Sequence, residues 1–334
     1  MHPSPDKETQ KDSSECEYTG KVINNYIIKK YINSGSFGNV YEVVHKKTGE
    51  KHALKLPIIS KEKNGVKMLM SEARIYKKLS NPLNGIANVK IIKYSDNFSN
   101  ILNGKNNDND NSKNEESTIN TKIIVMDLLG PSLESLFQKH KKRFSLQTVI
   151  KLAIGFIDII QYIHSNGYIH RDLKPDNFTI GYTDKDKLFC IDFGLAKKYI
   201  TKTGEHIKFS KNRRFCGTAT YASIAAHENV EQSRKDDLES IAYILIYLYK
   251  GKLPWKSIKT KDKRKKYELI YKEKLKYSPE ELCKGMPRQF TVFLDYIRTM
   301  DFDEKPPYSS FKKMFMRLYD SQEYKDMLFD WEKD

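Results

Sequence analysis

The sequence predicts an α+β chain in two lobes: a small, antiparallel β-rich amino-terminal lobe with one main helix, then a larger, mainly α-helical carboxyl-terminal lobe. Three observations lead there. From Tyr26 onward, short runs rich in Ile, Val and Tyr are separated by turn residues; after Gly130 the apolar residues gather into helix-length segments; and the two regimes meet at the short stretch D-L-L-G-P-S. Such a join is expected to leave a cleft, and clefts between domains are favoured ligand sites.

The elements follow in order. Residues 1–19 are rich in Ser, Glu, Asp, Lys and Pro with almost no apolar side chains, which cannot offset chain entropy, so they read as a disordered tail. Y-I-I-K-K-Y-I, N-V-Y-E-V-V and K-H-A-L-K-L, with a turn at K-K-T-G-E, predict three antiparallel strands in series. Lys67 to Leu79 has good helix formers and neither Gly nor Pro, and Asn81-Pro82 stops it. Val89 to Tyr94 and Lys122 to Leu128 predict two more strands, separated at about 97–121 by an Asn-rich insertion of solvated composition. Leu146 to His164 and Leu238 to Tyr249 are apolar on nearly every side, which predicts buried helices. The expected organisation is a tail at 1–19, an amino lobe at 20–128 and a carboxyl lobe at 129–334.

The length of 334 residues is ample for a large core. The longest purely apolar or aromatic stretch, Ile241 to Tyr249, falls short of the ~18–20 residues of a membrane span, and the amino terminus lacks the apolar core of a signal peptide. Neither a spanning nor a secreted protein is expected. Cys16, Cys190, Cys216 and Cys283 show no C-x-x-C pairing and the histidines no i, i+4 spacing, which argues against a disulfide framework and a zinc site. A net charge of +16 favours anionic partners: nucleic acid, an acidic membrane face, or acidic and phosphorylated proteins.

The segment I-N-S-G-S-F-G-N-V, Ile32 to Val40, places Gly35 and Gly38 where a backbone can approach an anion. An ordinary glycine hairpin is the competing reading. A dinucleotide fingerprint needs a helix after the glycines, whereas here a strand follows, which suits a flap over phosphates. Lys55 shares a strand face with Ala53, and Glu72 in the following helix is the acid placed to pair with it and hold it against nucleotide phosphates. The most specific segments are I-H-R-D-L-K-P-D-N-F, Ile169 to Phe178, and L-F-C-I-D-F-G, Leu188 to Gly194. Phosphoryl transfer asks for positioning and charge neutralisation. Asp172 can orient a hydroxyl and accept its proton, Asn177 and Asp192 can hold magnesium, and Lys174 can bond the moving phosphoryl oxygens.

On these motifs the chain resembles the eukaryotic protein kinases across about Tyr26 to Trp331. M-D-L-L-G-P-S-L-E, F-G-L-A-K-K-Y, Y-A-S-I where most kinases have A-P-E, E-Q-S-R-K-D-D-L-E-S, and the stretch from L-P-W to F-D-W narrow the resemblance to the casein kinase I family of Ser/Thr kinases. That implies an active, monomeric bilobal kinase acting with ATP and magnesium on acidic or phosphate-primed proteins. It implies a phosphate flap of Ile32, Asn33, Ser34, Gly35, Ser36, Phe37, Gly38, Asn39 and Val40. It further implies an adenine pocket lined by Ile32, Val40, Ala53 and Ile191, guarded by Met126, with the backbones of Asp127 and Leu129 on the adenine edge. Asp237 would anchor the catalytic loop and His170 would brace it.

Three positions depart from the pattern. Asn33 replaces the first flap glycine, which is expected to alter nucleotide affinity, and Thr179 replaces a leucine beneath the adenine, which should weaken packing modestly. Thr220 stands where the resemblance implies a phosphate-binding arginine; Lys266, Lys263, Arg264, Arg213 and Arg214 remain as candidates for a substrate anion pocket. The cluster Lys259 to Lys266 reads as a solvated helix face, an anion dock or a nuclear-import patch, so the expected location is cytoplasmic, extending to the nucleus under the last reading. Thr201, Thr203 and Ser210 are available for activation-segment phosphorylation. A catalytically silent scaffold is a competing class, but Lys55, Glu72, Asp172, Lys174, Asn177 and Asp192 are all present. A nucleic-acid binder would show an aromatic-interleaved basic module, which is not seen, so no specific nucleic acid is expected.

Overall fold

The computed structural model describes residues 18–35, 38–57, 62–94 and 121–333. The chain forms two compact units: 1–77 with 88–128, and 78–87 with 129–334.

In the first unit, strands β1 (Val22–Ile23), β2 (Tyr26–Ser34), β3 (Gly38–His45), β4 (Lys51–Pro57), β5 (Val89–Tyr94) and β6 (Thr121–Asp127) form one antiparallel sheet in the order β1-β2-β3-β4-β6-β5. The β3–β4 turn closes through Gly49, whose φ of 72° is a left-handed conformation that a side chain would strain. One sheet face buries Ile23, Tyr26, Ile28, Tyr41, Val43, Leu54, Leu56, Ile123 and Val125. Tyr18 belongs to this cluster, 8% exposed and edge-on to Tyr41 with ring centroids 5.6 Å apart. The tail assignment of residues 1–19 is therefore corrected at its end: a lone aromatic after a polar run carries no periodicity, yet it finds a core to fill. The rest of that tail, and nearly all of the Asn-rich insertion, lie outside the described residues.

Helix α1 spans Glu62–Leu79, a turn and more longer than its apolar pattern suggested. Gly65 interrupts the good helix formers, but one Gly costs only ~1 kcal/mol and does not stop a helix that packs elsewhere. The segment after it turns at Gly85, φ 74°, whose carbonyl accepts from the Cys190 N–H at 2.8 Å. Residues 78–87 consequently belong with the carboxyl-terminal unit, although the sequence reading placed them in the amino lobe.

The second unit is mainly helical. It contains α2 (Leu133–Lys139), α3 (Leu146–Ser165), α4 (Ile224–His227), α5 (Arg234–Lys250), α6 (Lys263–Leu275), α7 (Pro279–Cys283), α8 (Arg288–Thr299) and α9 (Tyr308–Asp320). It also holds a three-stranded sheet β10 (Leu188–Cys190), β9 (Phe178–Gly181), β7 (Leu129–Ser132), and a short pair, β8 (Tyr168–Ile169) with β11 (Lys197–Lys198). Helix α3 is long and apolar enough to cross a membrane by length and composition, yet twelve of its residues are buried and it packs against α5 and α9. Helix α5 is buried almost throughout, and at its start the Asp236 carboxylate accepts from the Ser233 N–H at 2.6 Å. Together with the strands this is the α+β class that the sequence predicts. Cys190, Cys216 and Cys283 are free thiols.

Candidate active site

In the first unit, strand alternation puts Leu54 and Leu56 into the core cluster and Ala53 and Lys55 on the opposite face. Lys55 is 4% exposed, and its Nζ donates to both carboxylate oxygens of Glu72 on α1, at 2.7 and 2.8 Å. Burying an ammonium is costly, and the two-pronged carboxylate offsets part of that cost while it fixes the ammonium on the β4 face. Ala53 and Met126 are cross-strand partners and are both buried, while Val40 pairs with Lys55. Ile32 is exposed. The Asp127 N–H donates to the Asn88 carbonyl at 3.1 Å and its carboxylate accepts from the Asn88 N–H at 2.9 Å.

The phosphate flap has its two glycines in register: the Gly35 N–H donates to the Gly38 carbonyl at 2.8 Å. At Gly38 a Cβ would stand 2.5 Å from the Leu56 carbonyl, so only glycine fits between β3 and β4 there. Asn33 uses its side-chain oxygen to accept from the Ser34 N–H at 2.8 Å, which withdraws one backbone donor from any phosphate. Ser36 and Phe37 lie outside the described residues, and Asn39 pairs with Leu56 on β4.

In the second unit, β8 and β11 pair Ile169 with Lys197, and β9 and β10 pair Phe178 with Cys190. That register sets Asn177 beside Ile191, whose N–H donates to the Asn177 carbonyl at 2.9 Å, and Asp192 comes one residue on. The Asn177 side-chain amide donates to the Asp172 carbonyl at 2.8 Å and closes the loop between them. On Asp172, Oδ2 lies 3.2 Å from Lys174 Nζ and Oδ1 accepts from the Thr218 hydroxyl at 2.7 Å. Arg171 and Asp192 adopt φ of 67° and 64°, left-handed values that a non-glycine residue keeps only when its surroundings hold it.

What holds the loop is Asp237, in the first turn of α5. Its Oδ2 accepts from the His170 N–H at 2.7 Å and its Oδ1 from the Arg171 N–H at 2.8 Å. His164 Nε2 lies 2.9 Å from Oδ2, and His164 Nδ1 lies 2.6 Å from the Tyr308 hydroxyl. Burial opposes the Asp237 charge, but the His164 hydrogen bond and the backbone donor hold its carboxyl below the usual carboxylate range. Burial lowers the His164 pKa against the pull of Asp237, so the ring is a neutral donor through Nε2–H and accepts from Tyr308 at Nδ1. His170 is wholly buried; its Nε2 bonds the Ile191 carbonyl at 3.1 Å, its Nδ1 accepts from the Asp172 N–H, and its ring rests on Phe193. Its role is bracing.

Thr179 is 5% exposed, and among the described residues its hydroxyl has no hydrogen-bond partner. Ile191 and Leu129 are half-buried. Of the anion-pocket candidates, Arg213 is engaged by Glu231 at 2.7 Å and by Ser210, whereas Lys263, Arg264 and Lys266 stand exposed in the first turn of α6, and Arg214 is exposed too. Glu231 also pairs with Lys197 at 2.6 Å. Sequence reasoning missed Thr218, His164 and Glu231. The G-T-A-T stretch and the run beginning at Glu231 each drew notice for another reason, but a threonine and a histidine of ordinary type carry no signal until they meet Asp172 and Asp237.

Residues 26–324 match the family model described as the protein kinase domain. Such domains use ATP, typically with magnesium. The donors present fit that ion: the Asn177 amide nitrogen is spent on the Asp172 carbonyl, so its oxygen is the atom that could serve as a ligand, and Asp192 carries a carboxylate of which one oxygen accepts from the Gly194 N–H. Among the described residues there is no group of three or more His, Cys, Asp or Glu that would make a protein-only cage. Magnesium characteristically takes one or two protein oxygens beside phosphate and water. Asn177 and Asp192 would hold it, and it would neutralise phosphate charge. With the family model spanning well over half its length, this chain belongs to the protein kinase family.

Proposed function

We propose that the protein is a Ser/Thr protein kinase of the casein kinase I type, which transfers the γ-phosphoryl group of Mg-ATP to hydroxyls in acidic or phosphate-primed proteins. The observation that carries the reading is the pair of donors on Asp172: Thr218 at one oxygen and Lys174 at the other. The carboxylate is thereby aimed to receive the hydroxyl proton, and Lys174 stands beside it to meet the transferring phosphoryl oxygens. Lys55, fixed by Glu72, binds the nucleotide phosphates. Catalysis follows from placing charge in advance, and no covalent enzyme intermediate is needed.

Support for the casein kinase I type comes from the motifs at Tyr221 to Ile224 and at L-P-W. Here Ser223 donates to the Asp236 carboxylate at 2.6 Å and caps α4, occupying the place of an A-P-E motif. Thr220 in place of arginine, with Lys263, Arg264 and Lys266 exposed on α6, supports acidic direction with weak dependence on a priming phosphate. The protein acts as a monomer in the cytoplasm, reaching the nucleus if Lys259 to Lys266 serves import.

The test is a radiolabelled ATP assay on casein and on matched Ser peptides bearing phosphoserine, Asp or Ala three positions upstream. Wild type should label casein and rank the peptides phosphoserine above Asp above Ala, while Asp172→Asn and Lys55→Met lose transfer. Retained transfer by Asp172→Asn would overturn the catalytic assignment, and equal rates on all three peptides would overturn the acidic preference.

A further inference from the structure

The segment Gly217–Ala222 borders Asp172. Thr218 donates to the carboxylate, and at Gly217, φ 106°, a Cβ would stand 2.5 Å from the Arg171 carbonyl and 3.8 Å from Asp172 Oδ1. A polypeptide that brings a hydroxyl to Asp172 must pass this segment, whereas a water molecule need not. Its carbonyls are held from the protein interior. Thr218 accepts from the N–H groups of Tyr221 and Ala222, Thr220 accepts from Trp255 Nε1 at 2.7 Å, and Ala219 accepts from His227 Nε2 at 3.2 Å. Lys274 Nζ donates to Ala219 at 2.9 Å and also to Ala222.

Lys274, on α6, is wholly buried, with its ammonium over the rings of Tyr243 at 4.8 Å and Trp255 at 5.2 Å. Core packing at that position needs only an aliphatic side chain, and an ammonium is costly to bury. Its acceptors are two backbone carbonyls of one loop, and among the described residues no carboxylate forms a salt bridge with it. We propose that Lys274 is a substrate-positioning residue: it clamps Gly217–Ala222 from beneath and so sets the path of the polypeptide that carries the acceptor hydroxyl. The inference rests on the kinase reading and on Asp172 as the base.

The groups that face Lys274 are few. Glu239, on α5, is bonded to the Tyr243 hydroxyl at 2.5 Å and favours the charged lysine, while Arg298, on α8, opposes it. His227, on α4, is driven by burial to a pKa of about 3 and is neutral, and burial likewise keeps Tyr243 protonated. Burial lowers the Lys274 pKa to about 7. The clamp is therefore charged below that pH and loses its charge above it.

The experiment measures, on one preparation each of wild type, Lys274→Met and Lys274→Gln, ATP hydrolysis with water as acceptor and phosphorylation of a phosphate-free Asp-containing Ser peptide. Lys274→Met should raise the peptide KM about tenfold or more, the pattern of lost polypeptide binding, while hydrolysis and kcat fall much less, only as far as the Thr218–Asp172 contact loosens. Lys274→Gln, which keeps two donors, should fall between. In wild type the peptide KM should rise as pH passes through about 7, by a larger factor than hydrolysis changes over the same range. Equal losses with water and peptide in the variants would overturn the proposal, as would unchanged peptide kinetics. If Lys274→Met does not fold, the Gln variant and the wild-type pH profile still decide it, and a pH-independent peptide KM refutes it. Wild type inert with both acceptors would instead remove the kinase reading.

Discussion

Replacing Asp237 by asparagine changes one heavy atom and the charge, at a point where three donors converge. An asparagine would keep its oxygen toward His170 and His164 and turn its amide nitrogen to the Arg171 N–H, now donor against donor. One charge-assisted bond of about 1.5–3 kcal/mol is lost, and the two that remain fall to neutral strength, roughly 1 kcal/mol less each. The sum, about 4 kcal/mol, is a large part of the ~5–15 kcal/mol that keeps a typical domain folded. At roughly 2–4 °C per kcal/mol it lowers Tm by about 8–16 °C. Loss of the anchor also frees the Arg171–Asp172 backbone, and displacement of a base by an ångström costs on the order of 100-fold in rate. Because the folded pKa of Asp237 lies below its unfolded value, its stabilisation is complete above about pH 4 and drains away as pH falls through the folded pKa. The stability gap between wild type and Asp237→Asn should therefore be full at neutral pH and shrink in acid. Urea unfolding across that range, with kcat at neutral pH, makes the test; a loss under about 1 kcal/mol with unchanged kcat would refute the anchoring role.

Three further outcomes are expected. Glu72→Ala should lose about 3–5 kcal/mol because it strands the buried Lys55 charge, while Lys55→Met with Glu72→Leu should recover most of that stability and remain inactive; calorimetry on the single and double variants decides, and a double variant no more stable than the single one counts against a paired site. Gly38→Ala should cost about 1–3 kcal/mol and weaken ATP binding, since its Cβ meets the Leu56 carbonyl at 2.5 Å; unchanged unfolding and nucleotide titration would contradict it. Thr179→Val should gain about 1 kcal/mol by removing a buried hydroxyl that has no partner among the described residues; a lower Tm would show that the hydroxyl is bonded in solution.

The candidate catalytic residues of the second unit were legible because they are close in sequence. Asp172, Lys174 and Asn177 share one loop, and Asp192 follows two residues after the neighbouring strand β10, so phosphoryl chemistry constrains both the residue types and their spacing. Lys55 was legible from strand alternation, and Glu72 from its place on the next helix. Tyr18 was not, because one aromatic in a polar run has no pattern, and the start of α1 was hidden by Gly65. Thr218, His164, Glu231 and Lys274 are of commonplace types and act on residues far along the chain: 46 positions separate Thr218 from Asp172, and 73 separate His164 from Asp237.

The amino-acid sequence alone determined the α+β class, the strands β2 to β6 and the helices α1, α3 and α5, and it singled out the candidate phosphate-handling residues, since each follows from local periodicity or from chemistry within one loop. Tertiary structure decided which side chains orient them: a carboxylate on α5 that ties down the catalytic loop, and an ammonium on α6 set beneath the segment beside Asp172. The reason is that hydrogen bonds act over about 3 Å in space and are indifferent to separation along the chain, so their partners become visible only once the helices have packed.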